Sequence, residues 1–444
     1  MKINIAGAGA GKTTGLANEI ISKYNDIPKN KNIYCVAFTN GAVDSIKEKL
    51  HLYFGIMPQN IIVGTIHSFL YQEFISPYYY LIFDKHYKSM SNIQLPIEPK
   101  YKNKKLAELD AKDILHIQRI PERAKWVVLK KSSDKQKEKN ARNCIINTFL
   151  KYCGIIYVDE AQDIDANMKD VFSTLSNAGA EMVFFGDPKQ DIRGYNSFRE
   201  LINDNTDNVT YDSTCHRCPK EHLKLTNSLI RIEEQQVSQK SGGTIEIIFE
   251  KDICLDEFMK RDFDLKYIYR KNDKFDTHSL ASNSVNIDDL YYEIHSVLSE
   301  ISAEDINTEI NAYGFAQQIN QRYTSGQTPQ QAIKPFCDLY GGITKVQYAK
   351  LCNTLPAHVS PNNQSFSISS IESIKGLEGS NCLFVLTTDL SAYLFGKKTT
   401  ENKTKNALYV ALTRSLNKLT FLICKEVEDE YGRIKIDEFF SHFK

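Results

Sequence analysis

The first residues of the chain carry a pattern typical of phosphate binding. Residues 3–14 read Ile-Asn-Ile-Ala-Gly-Ala-Gly-Ala-Gly-Lys-Thr-Thr, an apolar run followed by a turn of small residues and the start of a helix. Small residues let backbone N–H groups surround an anion at a helix N-terminus. Lys12 would reach the β- and γ-phosphates, and Thr13 would offer a hydroxyl to Mg²⁺. A glycine-rich turn without a ligand is the alternative, because Ala6 stands where the G-x-x-x-x-G-K-[ST] pattern begins with glycine.

Carboxylates suited to metal-assisted hydrolysis follow a later apolar run. Asp159 and Glu160 come directly after residues 155–158. Asp159 would hold Mg²⁺, and Glu160 would orient and deprotonate the water that attacks the γ-phosphate. An acidic helix N-cap is the alternative. Gln190 follows the next apolar run, and it becomes a candidate γ-phosphate sensor because ligands gather at the carboxyl ends of parallel strands.

These residues need a parallel sheet to position them, and the apolar runs predict two such sheets. After the strand at the start of the chain, the first set comprises residues 32–38, 60–63, 155–158 and 181–185 and finishes near residue 214. The second set comprises residues 244–249, 265–270, 365–369, 382–386 and 419–424. Short continuous apolar runs that alternate with helical patterns indicate strands covered on both faces. We therefore predict two α/β units, each interrupted by a polar, mainly helical insert.

Composition bounds the class of protein. The 444 residues are 42% hydrophobic and 25% charged, with 55 basic and 55 acidic side chains, as in a soluble protein of several domains. No apolar run reaches the roughly 18 to 20 residues needed to span a bilayer, so we expect a cytoplasmic protein with no membrane partner. The ten cysteines are scattered except for Cys215-x-x-Cys218. One such pair is weak support for zinc, and reduced thiols are the default.

One segment is strongly basic. Residues 100–142 hold fourteen Lys or Arg and six Asp or Glu, and they include the single tryptophan, Trp126. A solvated helical insert explains this charge, and so does a surface for DNA phosphates or for an acidic partner.

Taken together, the motifs resemble those of the UvrD/Rep branch of superfamily 1 DNA helicases, which also tolerates alanine at the start of the phosphate loop. The matching segments, in chain order, are residues 6–13, 38–40, 64–69, 159–163, 186–190, 215–217, 371–379 and 409–414.

The resemblance implies roles at these positions. The catalytic residues would be Lys12, Asp159, Glu160, Gln190, Arg217 and Arg414, and the two arginines would stabilise charge on the γ-phosphate. The nucleotide would be held by Gly7, Ala8, Gly9, Ala10, Gly11, Lys12, Thr13, Thr14 and, at the ribose, Glu378; Mg²⁺ would be held by Thr13 and Asp159. Single-stranded DNA would lie along Phe38, Thr39, Asn40, Thr65, His67 and Tyr195. Surface salt bridges are the alternative for the arginines, and core packing is the alternative for Phe38 and Tyr195.

The resemblance also implies an architecture and two cofactors, ATP and Mg²⁺. The first RecA-like domain would comprise residues 1–70 and 149–214, with a basic helical insert at 71–148. The second would comprise residues 215–280 and 362–444, with a reduced insert at 281–361. The nucleotide would bind in the cleft between the two domains.

Several positions depart from the family pattern. His216 replaces the tyrosine that stacks on the base. In the segment that matches motif V, residues 371–379, Glu372 replaces a histidine beside the DNA. Basic residues before Tyr409 are reduced to Lys405. In this family a glutamine-containing motif upstream of the phosphate-loop strand reads adenine. The sequence opens at that strand, so we expect the base to be bound without this motif. Selectivity for ATP is therefore open.

Two functions follow, from different classes. The first is a DNA-stimulated ATPase that moves 3′→5′ on single strands. Its short inserts resemble compact members of this branch that serve as the helicase-like subunit of the Gabija antiphage system, beside an OLD/TOPRIM nuclease. The second is a regulatory module that senses nucleotide and DNA and controls the nuclease with little unwinding of its own. A small-molecule P-loop kinase is disfavoured because it needs no second arginine-bearing unit.

Overall fold

A computed structural model describes residues 1–96, 98–277, 287–301, 308–355 and 366–443. The strands in these residues are β1 (Lys2–Ala6), β2 (Asn32–Ala37), β3 (Ile61–Thr65), β4 (Ser89–Ser91), β5 (Ile114–His116), β6 (Cys153–Val158), β7 (Glu181–Gly186), β8 (Val209–Asp212), β9 (Thr244–Phe249), β10 (Leu265–Ile268), β11 (Phe275–Asp276), β12 (Phe366–Ser367), β13 (Ser369–Ser370), β14 (Gly379–Leu386) and β15 (Ser415–Ile423).

The α-helices surround these strands, and none in the described ranges is long and apolar enough to cross a membrane. They are α1 (Lys12–Lys23), α2 (Asn40–Phe54), α3 (Ile66–Leu70), α4 (Ser76–Phe83), α5 (Pro99–Ala111), α6 (Ile120–Val128), α7 (Gln136–Tyr152), α8 (Ala166–Asn177), α9 (Ser197–Asp204), α10 (Lys220–Asn227), α11 (Leu255–Phe258), α12 (Ile287–Ile301), α13 (Thr308–Thr324), α14 (Pro329–Tyr340), α15 (Lys345–Asn353), α16 (Thr388–Leu394), α17 (Lys403–Leu412), α18 (Lys425–Tyr431) and α19 (Arg433–Ser441).

The first sheet has six parallel strands in the order β3-β2-β6-β7-β1-β8. Its central strands are almost wholly buried, which is why they appear in the sequence as continuous apolar runs. The edge strand β8 was not predicted, because three of its four residues are exposed and no apolar run marks it. This order brings the carboxyl ends of β1, β6 and β7 side by side.

The second sheet has five parallel strands in the order β13-β10-β14-β15-β9. The prediction of two parallel-sheet α/β units is therefore confirmed. The single strand predicted at 365–369 is wrong. Its described part divides because β12 pairs with β11 while β13 pairs with β10, and Ile368 between them is buried.

The chain forms two compact units. One combines residues 1–86, 119–277 and 366–444 and contains both large sheets; the other combines residues 87–118 and 278–365. In the second unit, helices α12 to α15 enclose an apolar core that includes Leu290, Ile333 and Phe336. The units do not coincide with the predicted inserts, since residues 71–86 and 119–148 belong with the sheets. The predicted domain boundaries stay a prediction.

The basic segment 100–142 is divided between these units, and part of its charge is buried. The Arg142 guanidinium is 1% exposed; its Nε donates to Oδ2 of Asp134 at 2.9 Å, and its Nη1 donates to the Val127 carbonyl oxygen at 3.2 Å. The Arg123 guanidinium lies 4.1 Å from the centre of a Trp126 ring. Both arginines therefore stabilise the fold of this segment, and the exposed lysines carry its surface charge.

Candidate nucleotide and DNA site

The phosphate loop joins β1 to α1 through two left-handed glycines. Gly9 has a φ of 71° and Gly11 a φ of 77°, a region that residues with a Cβ rarely adopt. A Cβ on Gly9 would also lie 2.3 Å from the Cβ of Arg217. Helix α1 begins at Lys12 without a side-chain cap, so the N–H groups at its start are open to an anion. This geometry suits a triphosphate.

Thr13 and Asp159 bring two oxygen ligands together beside the loop. The Thr13 hydroxyl donates to Oδ2 of Asp159 at 3.1 Å, and Asp159, at the end of β6, has no exposed surface. Burial, and then the charge of Glu160, raise the pKa of Asp159 to about 6. A cation would compensate this carboxylate, and Mg²⁺ prefers oxygen ligands. The pair fits Mg²⁺, and its assignment as the metal site stays a prediction.

Glu160 has a strained backbone next to this pair. Its φ of 52° lies in the left-handed region, at a cost of about 1 kcal/mol or more. Its carboxylate accepts a hydrogen bond from the Gln162 side chain. Burial opposes its charge, but Lys12 and Lys375 prevail and hold the pKa of Glu160 below its usual range. The carboxylate is thus ionised at neutral pH, as a general base requires.

Gln190 lies beyond the end of β7 and is fixed by Asp187. Its Nε2 donates to Oδ2 of Asp187 at 2.9 Å, and the Lys189 ammonium lies 2.9 Å from Oδ1 of the same carboxylate. Asp187 and Gln190 are both buried. Burial opposes the charge of Asp187, but Lys189 and Lys12 hold its pKa below the usual range. An ionised Asp187 therefore anchors the predicted sensor.

The two predicted arginines lie near one another. Arg217 Nε donates to Oε2 of Glu378 at 2.6 Å. Glu378, which was predicted to contact the ribose, is therefore paired with Arg217 in this structure. Arg414 is fully buried; its Nε donates to the Val410 carbonyl oxygen at 2.9 Å and its Nη1 to the Leu377 carbonyl oxygen at 3.2 Å. Burial, and then the charge of Arg217, hold the pKa of Arg414 below its usual range. Two guanidinium groups so placed favour an anion.

Tyr409, on α17, links the second sheet's helices to the phosphate loop. The Ala8 N–H donates to the Tyr409 hydroxyl at 3.0 Å, and the Tyr409 hydroxyl donates to Oδ2 of Asp187 at 2.9 Å. Gln236 completes the contact, because its Nε2 donates to the Ala8 carbonyl oxygen at 3.2 Å. The motif containing Tyr409 was recognised, but neither Tyr409 nor Gln236 was predicted as a site residue. Gln236 lies outside every recognised motif, so nothing in the sequence marked it.

Lys375 joins the motif V segment to the end of β6. Its ammonium lies 2.6 and 2.7 Å from the two carboxylate oxygens of Asp163, and both side chains are mostly buried. Lys375 also lowers the pKa of Glu160. It was not predicted, although a lysine inside a recognised motif was a signal that could have identified it.

The predicted DNA residues of the first sheet gather at the ends of β2 and β3. The ring centres of Phe38 and His67 are 6.4 Å apart, edge to face. Thr39 and Thr65 cap α2 and α3, each accepting a backbone N–H through its hydroxyl, so both have a structural role as well. Asn40 is the exposed first residue of α2. Burial, the largest influence, lowers the pKa of His67, which keeps this ring neutral near pH 7.

Tyr195 presents an exposed ring, and Arg193 adds a charge that was not predicted. Tyr195 is 42% exposed, and its N–H donates to Oδ1 of Asp191 at 3.2 Å. The Arg193 guanidinium interacts electrostatically with Tyr195 and Glu372. It also influences the titration of His67. An exposed ring beside an arginine is a suitable platform for a nucleic-acid base.

Replacing Tyr409 by phenylalanine tests the contact to the loop. The substitution keeps the ring but removes the hydroxyl that joins Ala8 to Asp187, leaving both with one partner fewer. We expect a loss of about 1–3 kcal/mol in the free energy of unfolding and a fall of about 10- to 100-fold in kcat for NTP hydrolysis, because the loop is less well positioned. Denaturant unfolding and steady-state kinetics measure the two effects.

Tyr267→Phe is the matched control. The Tyr267 hydroxyl is also buried and donates to the Ala411 carbonyl oxygen at 2.7 Å, so its loss should cost a similar free energy of unfolding. The Tyr267 hydroxyl donates to α17 rather than to the phosphate loop, and kcat should stay within about twofold of wild type. Equal losses of kcat in the two variants would contradict a positioning role for Tyr409.

Comparison with known proteins supports the motif assignment. Residues 1–196 match the family model described as an AAA domain. The chain is 25% identical, over 502 aligned positions, to Gabija protein GajB of Bacillus cereus (strain VD045), and the match covers 96% of this chain and 93% of that relative.

Two solved structures are also similar. Arterivirus nonstructural protein 10, a helicase in complex with DNA, has a TM-score of 0.38 at 9% identity, covering 95% of this chain and 59% of the other. The PRRSV helicase has a TM-score of 0.34 at 10% identity, covering 95% and 52%. This chain thus matches little more than half of each. On the motifs and the match to GajB, the predicted resemblance is confirmed: the chain resembles the UvrD-like helicases and is similar to GajB over nearly its whole length.

Proposed function

We propose that this protein is a Mg²⁺-dependent ATPase that moves along single-stranded DNA, with DNA stimulating hydrolysis. The observation that supports this best is the contact between the phosphate loop and residues that follow the first sheet. Tyr409 bonds to Ala8, and the Arg217 backbone lies against Gly9. A nucleotide held by the loop would therefore meet side chains from the second sheet's helices, the arrangement that couples hydrolysis to relative movement.

Each side chain has a distinct task in this proposal. Lys12 and the loop N–H groups bind the phosphates, and Glu160 takes a proton from the attacking water. Thr13 and Asp159 would hold Mg²⁺, which when bound neutralises charge on the phosphates. Arg414 and Arg217 stabilise negative charge that develops at the γ-phosphate. For this task Arg217 must exchange its bond to Glu378 for one to the nucleotide.

Movement follows from contacts that depend on the nucleotide. The Lys375–Asp163 ion pair and the Tyr409 hydrogen bonds connect segments of the two sheets. Loss of the γ-phosphate would remove the anion that draws Arg217 and Arg414 toward the loop, so the two sheets would separate and close again in each cycle. A strand that contacts both sheets would then advance.

Glu160→Gln tests the hydrolytic assignment. It preserves size and the ability to bind water but removes the base, so kcat should fall about 100-fold or more while binding of a fluorescent ATP analogue is retained. Lys12→Ala should weaken binding as well, because it removes a phosphate contact. Rates are measured with and without single-stranded DNA.

Glu48→Gln, on the exposed surface of α2, is the control for the same chemical change and should behave as wild type. Hydrolysis that survives Glu160→Gln unchanged would overturn the assigned base. Wild-type protein that neither binds nor hydrolyses ATP would overturn the proposed function itself.

The direction of movement is proposed from the resemblance alone. We expect displacement of streptavidin from the 5′ end of a biotinylated single strand but not from the 3′ end, because a 3′→5′ motor collides with a block at the 5′ end. Lys12→Ala should displace neither. Displacement only from the 3′ end would reverse the proposed direction.

Tyr195→Ala tests the DNA track. Loss of a stacked base should cost about 1–3 kcal/mol, which is about a 5- to 150-fold rise in the Kd for single-stranded DNA. Fluorescence anisotropy with a labelled oligonucleotide measures the change. Tyr80→Ala removes a similarly exposed ring on α4 (49% against 42%) and should leave the Kd unchanged. Equal Kd values for all three proteins would remove Tyr195 from the track.

We also propose that the protein acts with a nuclease in antiphage defence, of OLD/TOPRIM type as the likeness to a Gabija protein implies. The second function, a sensing module for that nuclease, is favoured by Glu372, an exposed carboxylate that interacts with Arg193 beside the track and opposes DNA phosphates. The hydrolysis assay distinguishes the two. A motor is stimulated by DNA alone, whereas a sensing module responds when the neighbouring reading frame's product is added.

A further inference from the structure

Cys215 and Cys218 lie where the segment after β8 meets the phosphate loop. They are 2% and 0% exposed. The Cys215 thiol donates to the carbonyl oxygen of Ala8 at 3.2 Å, and the Cys218 thiol donates to that of Thr413 at 3.6 Å. One sulfur therefore contacts the loop that binds phosphate, and the other contacts the residue before Arg414.

The Cys215 sulfur also contacts the backbone of Cys218. The Cys218 N–H donates to Cys215 Sγ at 3.3 Å. The nearby Cys218 side chain, and then backbone N–H groups and the charge of Arg217, lower the pKa of Cys215 against the effect of burial. The nearby Cys215 side chain and burial raise the pKa of Cys218. A lowered pKa at one thiol is a feature of reactive Cys-x-x-Cys pairs.

A metal does not explain the pair. Among the side chains that the structure describes, the one group of three or more potential ligands is Glu250, Cys424 and Glu426. Cys215 and Cys218 are not part of it, and two thiolates alone do not complete a zinc site.

We propose that Cys215 and Cys218 form a reversible disulfide that lowers NTP hydrolysis. The oxidant is a small hydroperoxide, such as hydrogen peroxide. The Cys215 thiolate attacks one peroxide oxygen, the O–O bond breaks, and Cys215 becomes a sulfenic acid as hydroxide leaves and is protonated to water. The Cys218 sulfur then attacks Cys215 Sγ, the S–S bond forms as the S–OH bond breaks, and the sulfenic hydroxyl group leaves with the thiol proton as a second water. Two thiols are oxidised by two electrons and one peroxide is reduced.

The Cys215–Cys218 disulfide would affect the site by removing hydrogen bonds of the two thiols. In the disulfide neither sulfur carries a proton, so Cys218 no longer donates to the Thr413 carbonyl oxygen, and Cys215 has no thiol form that can donate to the Ala8 carbonyl oxygen. His216 and Arg217 lie between the two cysteines, and the His216 N–H donates to the Gly9 carbonyl oxygen at 2.9 Å. Closing the ring around these two residues shifts Arg217 relative to the loop, and hydrolysis falls because the arginine is misplaced.

The pair is tested on the full chain with hydrogen peroxide, followed by peptide mapping and ATPase assay. We expect a 215–218 disulfide in the wild-type protein, a fall of at least about fivefold in kcat, and recovery with dithiothreitol. Cys144→Ser/Cys254→Ser removes two exposed cysteines and should respond as wild type does. Cys218→Ala and Cys218→Ser should form no intramolecular bond, and their activity should not show the reversible fall.

Two outcomes would overturn the proposal: a 215–218 peptide that stays reduced while exposed cysteines oxidise, or a 215–218 disulfide that leaves kcat unchanged. Only the ATPase readout rests on the proposed function. If the reduced protein hydrolyses no ATP, that function has failed. Peptide mapping, with binding of a fluorescent nucleotide before and after oxidation, then still decides the fate of the cysteine pair.

Discussion

The backbone of Ala8 is the point on which the rest of the site depends. Its N–H donates to the Tyr409 hydroxyl, and its carbonyl oxygen accepts from Gln236 and Cys215. Three segments of the chain therefore meet at one residue of the phosphate loop. A buried residue must satisfy both its N–H and its C=O group, and the Ala8 N–H is satisfied only when α17 is in place.

This contact leaves the loop able to bind an anion. Ala8 lies near its beginning, whereas a phosphate is held mainly by the N–H groups at the start of α1. In the described structure, the N–H groups of Gly11 and Lys12 have no acceptor. Tyr409 therefore fixes one side of the loop without occupying its centre, and a movement of α17 would act directly on a nucleotide bound there.

The charges of the site divide into two groups that a nucleotide would join. Asp159 and Glu160 lie at the end of β6, and burial makes the charged form of Asp159 costly. Arg217 and Arg414 lie together, with burial and like charge acting against Arg414. Mg²⁺ would relieve the first group and a triphosphate the second. Asp159 and Arg414 are thus the poorly compensated charges without ligands, and binding of Mg²⁺ and a triphosphate would favour bringing their segments together.

The sequence predicted the parts of this arrangement that depend on local pattern. Buried parallel strands appear as apolar runs, and functional residues follow their carboxyl ends, so Lys12, Asp159 and Gln190 could be placed together beforehand. Three other features could not be predicted in this way.

Edge strand β8 is exposed and carries no such run. Gln236 reaches the site through one long-range contact, its hydrogen bond to Ala8. The burial of Arg142 depends on Asp134, eight residues earlier, within a run that looks uniformly basic. These features arise from tertiary packing. The residue types involved are common throughout the chain, so no local pattern distinguishes these positions. The same reasoning explains why Cys215-x-x-Cys218 was uninformative in sequence: only the folded chain brings the two sulfurs to the Ala8 and Thr413 carbonyl groups.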